Sequence, residues 1–308
     1  MKEDAVPEKR QLNIGGNVHG PVVFGDNNVT HTAPVPAPVD ETESVGPLGA
    51  EDPARIGPFR LAGWLGEGAM GRVYLGRTGG GRPVAVKVVR PEMARRPGFR
   101  ERFAREVDAA RRVGGFHTAQ VVDADPGAAA PWVASAYIKG PSLERTITDH
   151  GPLSEGRVRL LGSGLAEGLA AIHDCGLVHR DLKPSNILMA EDGPRVIDFG
   201  IARFADGTRL TDPGVLIGTP AYMSPEQASG ARVGSASDVF SLGTVLAYAS
   251  LGANPFGEGG PEEVMARIRA GDADLAGLPS ATRQVVAACL AARPGDRPAA
   301  HDLVRVFD

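Results

Sequence analysis

The chain has 308 residues, 33 basic against 37 acidic side chains, and a formal net charge of -4. Without a surplus of basic residues it lacks the general positive field that attracts nucleic acid, so we expect no nucleic-acid partner. The length is sufficient for one or two domains of ordinary size with a full hydrophobic core.

Cysteine use and hydropathy predict a cytoplasmic protein. Cys175 and Cys289 lie far apart in apolar helical contexts, which favours buried free thiols over a disulfide framework. No stretch approaches eighteen uninterrupted apolar residues, and the first residues lack the apolar core of a signal peptide. We therefore expect no membrane span, and any signal would enter through the N-terminus, a partner or the main domain itself.

The first 57 residues differ in composition from the rest. Residues 1–31 alternate short β-favouring runs with Gly, Asn and Asp turn signals, and two short strands bury too little surface to be stable alone. This segment is expected either to be disordered or to pair with another chain or the following domain, which would allow self-association. Residues 32–57 carry repeated Pro and an acidic cluster, so we predict a linker and a main domain starting at residue 58.

Three strands are predicted next, over residues 59–65, 72–76 and 84–89. The first turn, residues 66–71, reads GEGAMG. Glycine there lets backbone N–H groups approach phosphate oxygens that a side chain would block. A glycine-rich turn between two strands, rather than between a strand and a helix, indicates a phosphate-covering loop and not a dinucleotide fold.

Lys87 lies on the third predicted strand. Alternation puts Ala85 and Lys87 on one face and the flanking valines on the other. Lysine occurs only at positions 2, 9, 87, 139 and 183, and arginine supplies the other basic residues. A lysine at position 87 therefore indicates a requirement for lysine rather than arginine there. In the helix that follows, Glu106 borders an apolar stripe that includes Phe99 and Phe103.

A polar stretch between two apolar runs contains groups suited to phosphoryl transfer. It carries Asp181, Lys183 and Asn186, and Asp198 follows twelve positions after Asn186. Phosphoryl transfer needs a group that takes a hydroxyl proton and oxygens that hold magnesium. A polar loop of this composition can also be only a solvated turn, so the interpretation depends on agreement with the distant segments.

Together these segments resemble the protein kinases. HRDLKPSN over residues 179–186 matches the catalytic loop H-R-D-L-x-x-x-N, and DFG over 198–200 matches the element of that name. The glycine-rich turn matches G-x-G-x-x-G-x-V, and VAVK over 84–87 matches V-A-I-K. Residues 58–308 are similar to a complete bacterial Hanks-type serine/threonine kinase domain. The resemblance implies an α+β, bilobal fold, with an N-lobe of about 58–136 (a small antiparallel sheet and one helix) and a mainly helical C-lobe of about 140–308.

The resemblance also assigns catalytic roles. Asp181 would orient the substrate hydroxyl and accept its proton, and Lys183 would steady the transferring phosphoryl group. Asn186 and Asp198 would hold magnesium, with manganese as an alternative ion.

The same resemblance implies an ATP site. Lys87 would bind the α and β phosphates, with Glu106 as its counter-charge; Glu106 could instead pair with Arg102 four residues earlier on the helix. Backbone groups of Ala136 and Ile138 would recognise adenine, and Ser135 would guard a back pocket. The implied ATP-binding residues are Leu65, Gly66, Glu67, Gly68, Ala69, Met70, Gly71, Arg72, Val73, Ala85, Lys87, Glu106, Ala136, Ile138 and Leu188.

Other positions would regulate or support the site. Arg180 precedes the base, a pairing that in this family accompanies control by activation-loop phosphorylation. The hypothesis is that Thr211, or its neighbour Thr208, is autophosphorylated and that the phosphate meets Arg180. Thr219 would belong to the substrate-docking segment. Three residues would be structural: Glu226 pairing with Arg297, and Asp238 anchoring the catalytic loop.

The function implied is an ATP-dependent serine/threonine protein kinase that acts on protein hydroxyls in cytoplasmic signalling. One alternative is a pseudokinase that binds without turnover, and the completeness of the catalytic set argues against it. Another is a kinase of small molecules such as aminoglycosides, and the peptide-docking segment over 218–226 argues against that.

Overall fold

The computed structural model describes residues 45–68, 70–198 and 220–307. The contacts divide the chain into Met1–Pro38 and Val39–Asp308, and all the described residues belong to the second unit. The β-prone segment predicted at 1–31, with the self-association suggested for it, lies outside the described residues. So do Ala69, Thr208, Thr211 and Thr219.

Six strands form one antiparallel sheet in the order β1-β2-β3-β4-β6-β5. The predicted alternation on β4 is confirmed, because Val84 and Val86 are buried beneath the sheet while Ala85 and Lys87 face a cleft. A separate two-stranded sheet lies in the other lobe. The strands are β1 Arg55–Ile56, β2 Phe59–Gly68, β3 Gly71–Arg77, β4 Pro83–Val89, β5 Val121–Asp125, β6 Trp132–Ala136, β7 Ile187–Ala190 and β8 Gly193–Val196.

Two helices accompany the large sheet, the four-residue α1 (Pro91–Ala94) and α2 (Phe99–Ala110). The apolar stripe of α2 packs in a buried cluster with α1 and with residues of β4 and β6. This packing turns the border of the stripe, where Glu106 lies, toward the other lobe.

The C-lobe is built around α4. Its stripe, Leu161, Leu165, Leu169 and Ile172, is buried, as predicted. Each such side chain contributes about 1.5–3 kcal/mol by leaving water. The α+β bilobal fold is therefore confirmed, and none of the helices in the described ranges is long and apolar enough to cross a membrane. The helices are α3 Leu143–His150, α4 Glu155–Asp174, α5 Pro225–Ala228, α6 Ser235–Leu251, α7 Pro261–Ala270, α8 Ser280–Cys289 and α9 Ala300–Phe307.

Residues 45–57, assigned to the linker from their composition, lie along the outer edge of β2. Arg55 and Ile56 form β1 and pair with the start of β2. Gly46 and Trp64 exchange two backbone hydrogen bonds of 2.8 and 2.9 Å. A sheet edge offers unpaired N–H and C=O groups, which is why a Pro-containing segment without strand periodicity can still pair there. The position of the domain boundary remains a prediction.

Candidate active site

A cleft lies against the inner face of β3 and β4. It encloses about 610 Å³ of space between the atoms, a figure that includes open solvent. Its lining includes several residues predicted from the sequence, among them Ser135. The apolar inner part was missed, because those residues belong to no motif and show only a burial pattern. The lining residues are Met70, Val73, Ala85, Lys87, Val89, Phe103, Ala119, Val121, Val133, Ser135 and Asp198.

Two ion pairs cross from the N-lobe to the C-lobe. Lys87 Nζ lies 3.1 Å from Asp198 Oδ2, and Glu106 Oε1 lies 3.2 Å from Arg180 Nη1. The predicted pairing of Lys87 with Glu106 is therefore wrong for this structure. Burial raises the pKa of the Glu106 carboxyl, and the Arg180 guanidinium opposes that rise. Arg180 thus compensates a carboxylate that would otherwise be buried without a partner.

Asp181, Lys183 and Asn186 are brought together at the start of β7. Asn186 Nδ2 donates to the Asp181 carbonyl at 2.8 Å and to Asp181 Oδ2 at 3.2 Å. Lys183 Nζ lies 3.4 Å from the same carboxylate oxygen. The 3-10 turn Pro184–Asn186 folds Asn186 back toward Asp181. Because Nδ2 makes both bonds, Asn186 keeps Oδ1 as an acceptor for a metal ion.

Buried His179 connects this loop to the strand that precedes Asp198. Its Nδ1 accepts from the Asp181 N–H at 3.2 Å, so the Nε2–H donates to the Ile197 carbonyl at 3.1 Å. Burial lowers the pKa of His179, which favours this neutral form. Ile197 N–H donates to the Asn186 carbonyl at 3.0 Å. These bonds hold Asp181, Asn186 and Asp198 at one end of the cleft.

Asp238, in the first turn of α6, anchors the loop from below. Its carboxylate is fully buried and accepts from the N–H groups of His179 and Arg180, at 2.7 and 2.8 Å, and from His173 Nε2 at 2.8 Å. Arg180 has φ +62°, a conformation that non-glycine residues rarely adopt. The bond from its N–H to Asp238 stabilises that backbone.

The segment that joins the lobes follows β6 directly, and the predicted residues Ala136 and Ile138 are not among those that line the cleft. Ala136 ends β6 and Ile138 follows it, both half-buried. A backbone bridge between Ser142 and Leu188, and a 2.8 Å bond from Met189 N–H to the Pro141 carbonyl, tie the joining segment to β7. These bonds hold Leu188 against the joining segment, and Leu188 is likewise absent from the lining of the cleft.

The glycine-rich turn joins β2 to β3. A Cβ on Gly71 would lie 1.8 Å from the Val88 carbonyl oxygen, whereas one on Gly66 or Gly68 would meet no described atom within 4 Å. Gly71 therefore serves packing, and the other two leave open space over the cleft. The side chains of Glu67 and Arg72 bond to each other at 3.0 Å on the outer surface, so their positions can contribute to the cleft only through backbone.

The docking side contains the predicted pair of Glu226 and Arg297, with contacts of 2.7 and 2.9 Å. Burial alone would raise the pKa of Glu226, but hydrogen bonds from Arg297 and Ser237 outweigh it and the pKa lies below its ordinary value. Gln227, which sequence motifs did not single out, donates through Nε2 to the Arg180 carbonyl at 3.0 Å. The docking segment is thus bonded directly to the catalytic loop.

A divalent cation would find hard oxygen ligands here. The Asp198 carboxylate and the Asn186 carboxamide are the donor types that magnesium prefers, and it usually completes its shell with water and phosphate oxygens. In the described ranges no group of three or more His, Cys, Asp or Glu could hold a metal ion. The residues present therefore fit an ion that arrives with a phosphate ligand.

The comparisons with known proteins agree with this geometry. Residues 59–306 match the protein kinase domain family. The probable serine/threonine-protein kinase PkwA of Thermomonospora curvata is 58% identical over 260 residues, which is 84% of this chain and 35% of that protein. The serine/threonine-protein kinase AfsK of Streptomyces coelicolor is 54% identical over 260 residues, 84% of this chain and 32% of its own length.

A more distant relative is the serine/threonine-protein kinase PknD of Mycobacterium tuberculosis, 34% identical over 257 residues, covering 79% of this chain and 38% of that protein. The chain spans about a third of the length of the first two relatives. The family match covers most of the chain and coincides with the bilobal fold and the cleft, so the chain belongs to the protein kinase domain family.

Proposed function

We propose that this chain transfers the γ-phosphoryl group of ATP to serine and threonine hydroxyls of proteins. Family membership implies ATP and a divalent cation as cofactors. The observation that carries the proposal is the 3.1 Å pair of Lys87 and Asp198 inside the cleft, bonded through Ile197 and His179 to Asp181. Phosphate ligand, metal ligand and base thus meet at one end of one site.

In this proposal each side chain has a defined step. Asp181 orients the substrate hydroxyl, which attacks the γ-phosphorus, and the hydroxyl proton passes to the Asp181 carboxylate as ADP leaves. Lys183, 3.4 Å from that carboxylate, balances the charge on the transferring group. Asp198 and Asn186 would hold the metal ion, which would supply neutralisation of phosphate charge; magnesium is the first choice because both protein ligands are oxygens, with manganese as the second.

A label-transfer experiment tests the activity. The purified chain is incubated with Mg-ATP labelled at the γ position and with a general protein substrate or, in a parallel reaction, an aminoglycoside, and the labelled products are identified. We expect label on serine or threonine. Label on an aminoglycoside and none on protein would support a small-molecule kinase, and ATP binding without any transfer would support a pseudokinase.

We further propose control by the activation loop through Arg180. Its guanidinium is 3.2 Å from Glu106, and Glu106 is the implied counter-charge of Lys87. A phosphate on Thr211, or on Thr208, would compete for Arg180 as a doubly charged acceptor. Arg180 would then release Glu106 to Lys87, and Asp198 would be free to bind the metal.

Phosphosite mapping tests this control. When Mg-ATP is added, we expect the wild-type chain to phosphorylate itself at Thr211 and its activity to rise. The Thr211→Ala variant should stay at its starting activity. Thr208→Ala is measured beside it, since loss of activation in Thr208→Ala alone would assign the regulatory phosphate to Thr208. An active chain with this loop unmodified would contradict the mechanism.

Self-association through residues 1–31 or through the kinase domain is also proposed, from the β-favouring composition of that segment. Sedimentation of the full chain over a range of concentrations would test it. A monomer at every concentration would exclude it.

A further inference from the structure

Residues 45–56, here called the edge segment, are seated on β2 by specific contacts. Besides the two bonds between Gly46 and Trp64, Leu61 N–H donates to the Ala54 carbonyl at 3.0 Å. A Cβ on Gly46 would lie 2.0 Å from Trp64 Nε1, and one on Gly63 would lie 2.4 Å from Val45. The close approach of the two backbones therefore depends on a glycine on each side.

The edge segment inserts one carboxylate into the sheet edge. The Asp52 side chain is only 6% exposed. It accepts from Gly49 N–H at 2.8 Å, from Arg72 Nη1 at 2.6 Å and from the Tyr74 hydroxyl at 2.7 Å. The Gly49 and Tyr74 hydrogen bonds lower the pKa of Asp52, so the group is a carboxylate at neutral pH.

Asp52 begins a chain of contacts that ends on the glycine-rich turn. Arg72 also binds Glu67 at 3.0 Å, and Glu67 binds Arg90 at 2.7 Å. Arg90 donates to the Gly68 carbonyl at 3.3 Å and, through its own N–H, to the Met70 carbonyl at 2.9 Å. The exposed pairs are individually weak. The Asp52 side chain is 6% exposed against 40% or more for the other three, so its bond to Arg72 is the contact of this chain with which water competes least.

We infer that Asp52 is a positioning residue for the phosphates of ATP. It acts through Arg72 and Glu67 to hold the described residues of the turn, 66–68 and 70–71, where they can cover the triphosphate. The inference rests on the proposed function. It also gives residues N-terminal to the kinase domain a direct mechanical connection to nucleotide binding.

The test compares ligands that do and do not carry phosphates. In the full chain, Asp52→Asn keeps the shape of the side chain and removes its charge, and affinities for Mg-ATP and adenosine are measured by calorimetry. We expect Mg-ATP to bind about three- to tenfold more weakly, the scale of one net hydrogen bond, with adenosine affinity unchanged. Tyr74→Phe, which removes one donor to Asp52, is expected to act in the same direction to a smaller extent.

Glu51→Gln is the matched control, since it removes a negative charge from the adjacent, exposed position. We expect it to bind both ligands as the wild type does. If Asp52→Asn bound Mg-ATP as tightly as the wild type, this inference would be overturned and the proposed function would stand. An equal loss for Mg-ATP and adenosine would also overturn it, because a merely structural role affects the whole site. A wild-type chain that binds no Mg-ATP would remove the proposed function and this inference with it.

Discussion

Four charged residues meet across the cleft in two ion pairs, Lys87 with Asp198 and Glu106 with Arg180. The alternation of β4 predicted that Lys87 faces the cleft, because strand periodicity fixes the face of every residue. It did not predict the partner. Either Lys87 or Arg180 could be the partner of Glu106 on α2. Which of them pairs with it depends on how the two lobes pack, and no spacing in the sequence encodes that packing.

Lys87→Ala removes the cation of the cleft. We expect kcat/KM for Mg-ATP to fall by at least about 10²-fold, the scale of a lost positioning group. Steady-state kinetics measures it, with Arg82→Ala as the control, since Arg82 is an exposed cation in the turn before β4. Wild-type kinetics in Lys87→Ala would contradict its assignment to the phosphates.

Glu226→Gln tests the buried pair with Arg297, whose side chain is 0% exposed. Leaving that cation without its counter-charge is expected to lower the free energy of unfolding at pH 7 by on the order of 3 kcal/mol. The folded pKa of Glu226 lies below its ordinary value of 4.5, so the pair contributes fully above that pH and less as pH falls through the folded pKa.

Denaturant unfolding should therefore show the gap between wild type and Glu226→Gln narrowing as pH falls below about 4.5, over the acid range in which both stay folded. Glu258→Gln, an exposed carboxylate, is the control and should cause little change. A gap that is independent of pH would contradict the ionised pair.

At the scale of elements, the glycines of the glycine-rich turn have two different roles: Gly71 allows close packing, and Gly66 and Gly68 leave open space. Its strands were predictable from composition and alternation, and its glycines from the need for close phosphate approach. Which glycine also serves packing was not predictable. That depends on the register in which β3 pairs with β4, which brings the Val88 carbonyl over Gly71.

Gly68→Ala and Gly71→Ala are expected to behave differently. Gly71→Ala should lower the free energy of unfolding by roughly 1–3 kcal/mol, because its Cβ has no room. Gly68→Ala should leave thermal stability unchanged and weaken Mg-ATP binding. Thermal unfolding and Mg-ATP titration of both variants check this, and a stable Gly71→Ala or an unaffected nucleotide affinity in Gly68→Ala would refute it.

The pairing of the edge segment with β2 was not predicted from the sequence. Repeated Pro and the acidic cluster at residues 40–43 favoured a linker, and the segment has no strand alternation. Its attachment relies on backbone bonds to β2 and on a single carboxylate, Asp52. Both are contacts between positions far apart in sequence, which local composition does not reveal.

At the scale of the whole molecule, the lobes meet at the cleft, and each ion pair joins an N-lobe element either to the catalytic loop or to Asp198, two residues after β8. The bilobal α+β fold was predictable because several motifs in separate segments agreed. The ion pairs that form across the cleft were not predictable. The pairing of Glu106 with Arg180 reflects one arrangement of the two lobes, and a sequence is compatible with more than one.

We propose that Asp181 orients and deprotonates the substrate hydroxyl in phosphoryl transfer. The site should bind Mg-ATP equally well without the Asp181 charge. The most direct measurement compares wild type with Asp181→Asn for Mg-ATP affinity and for the rate of transfer to protein. We predict equal affinity and transfer slower by at least about 10²-fold in the variant. Undiminished transfer in Asp181→Asn, or a wild-type chain that does not bind Mg-ATP, would contradict the account.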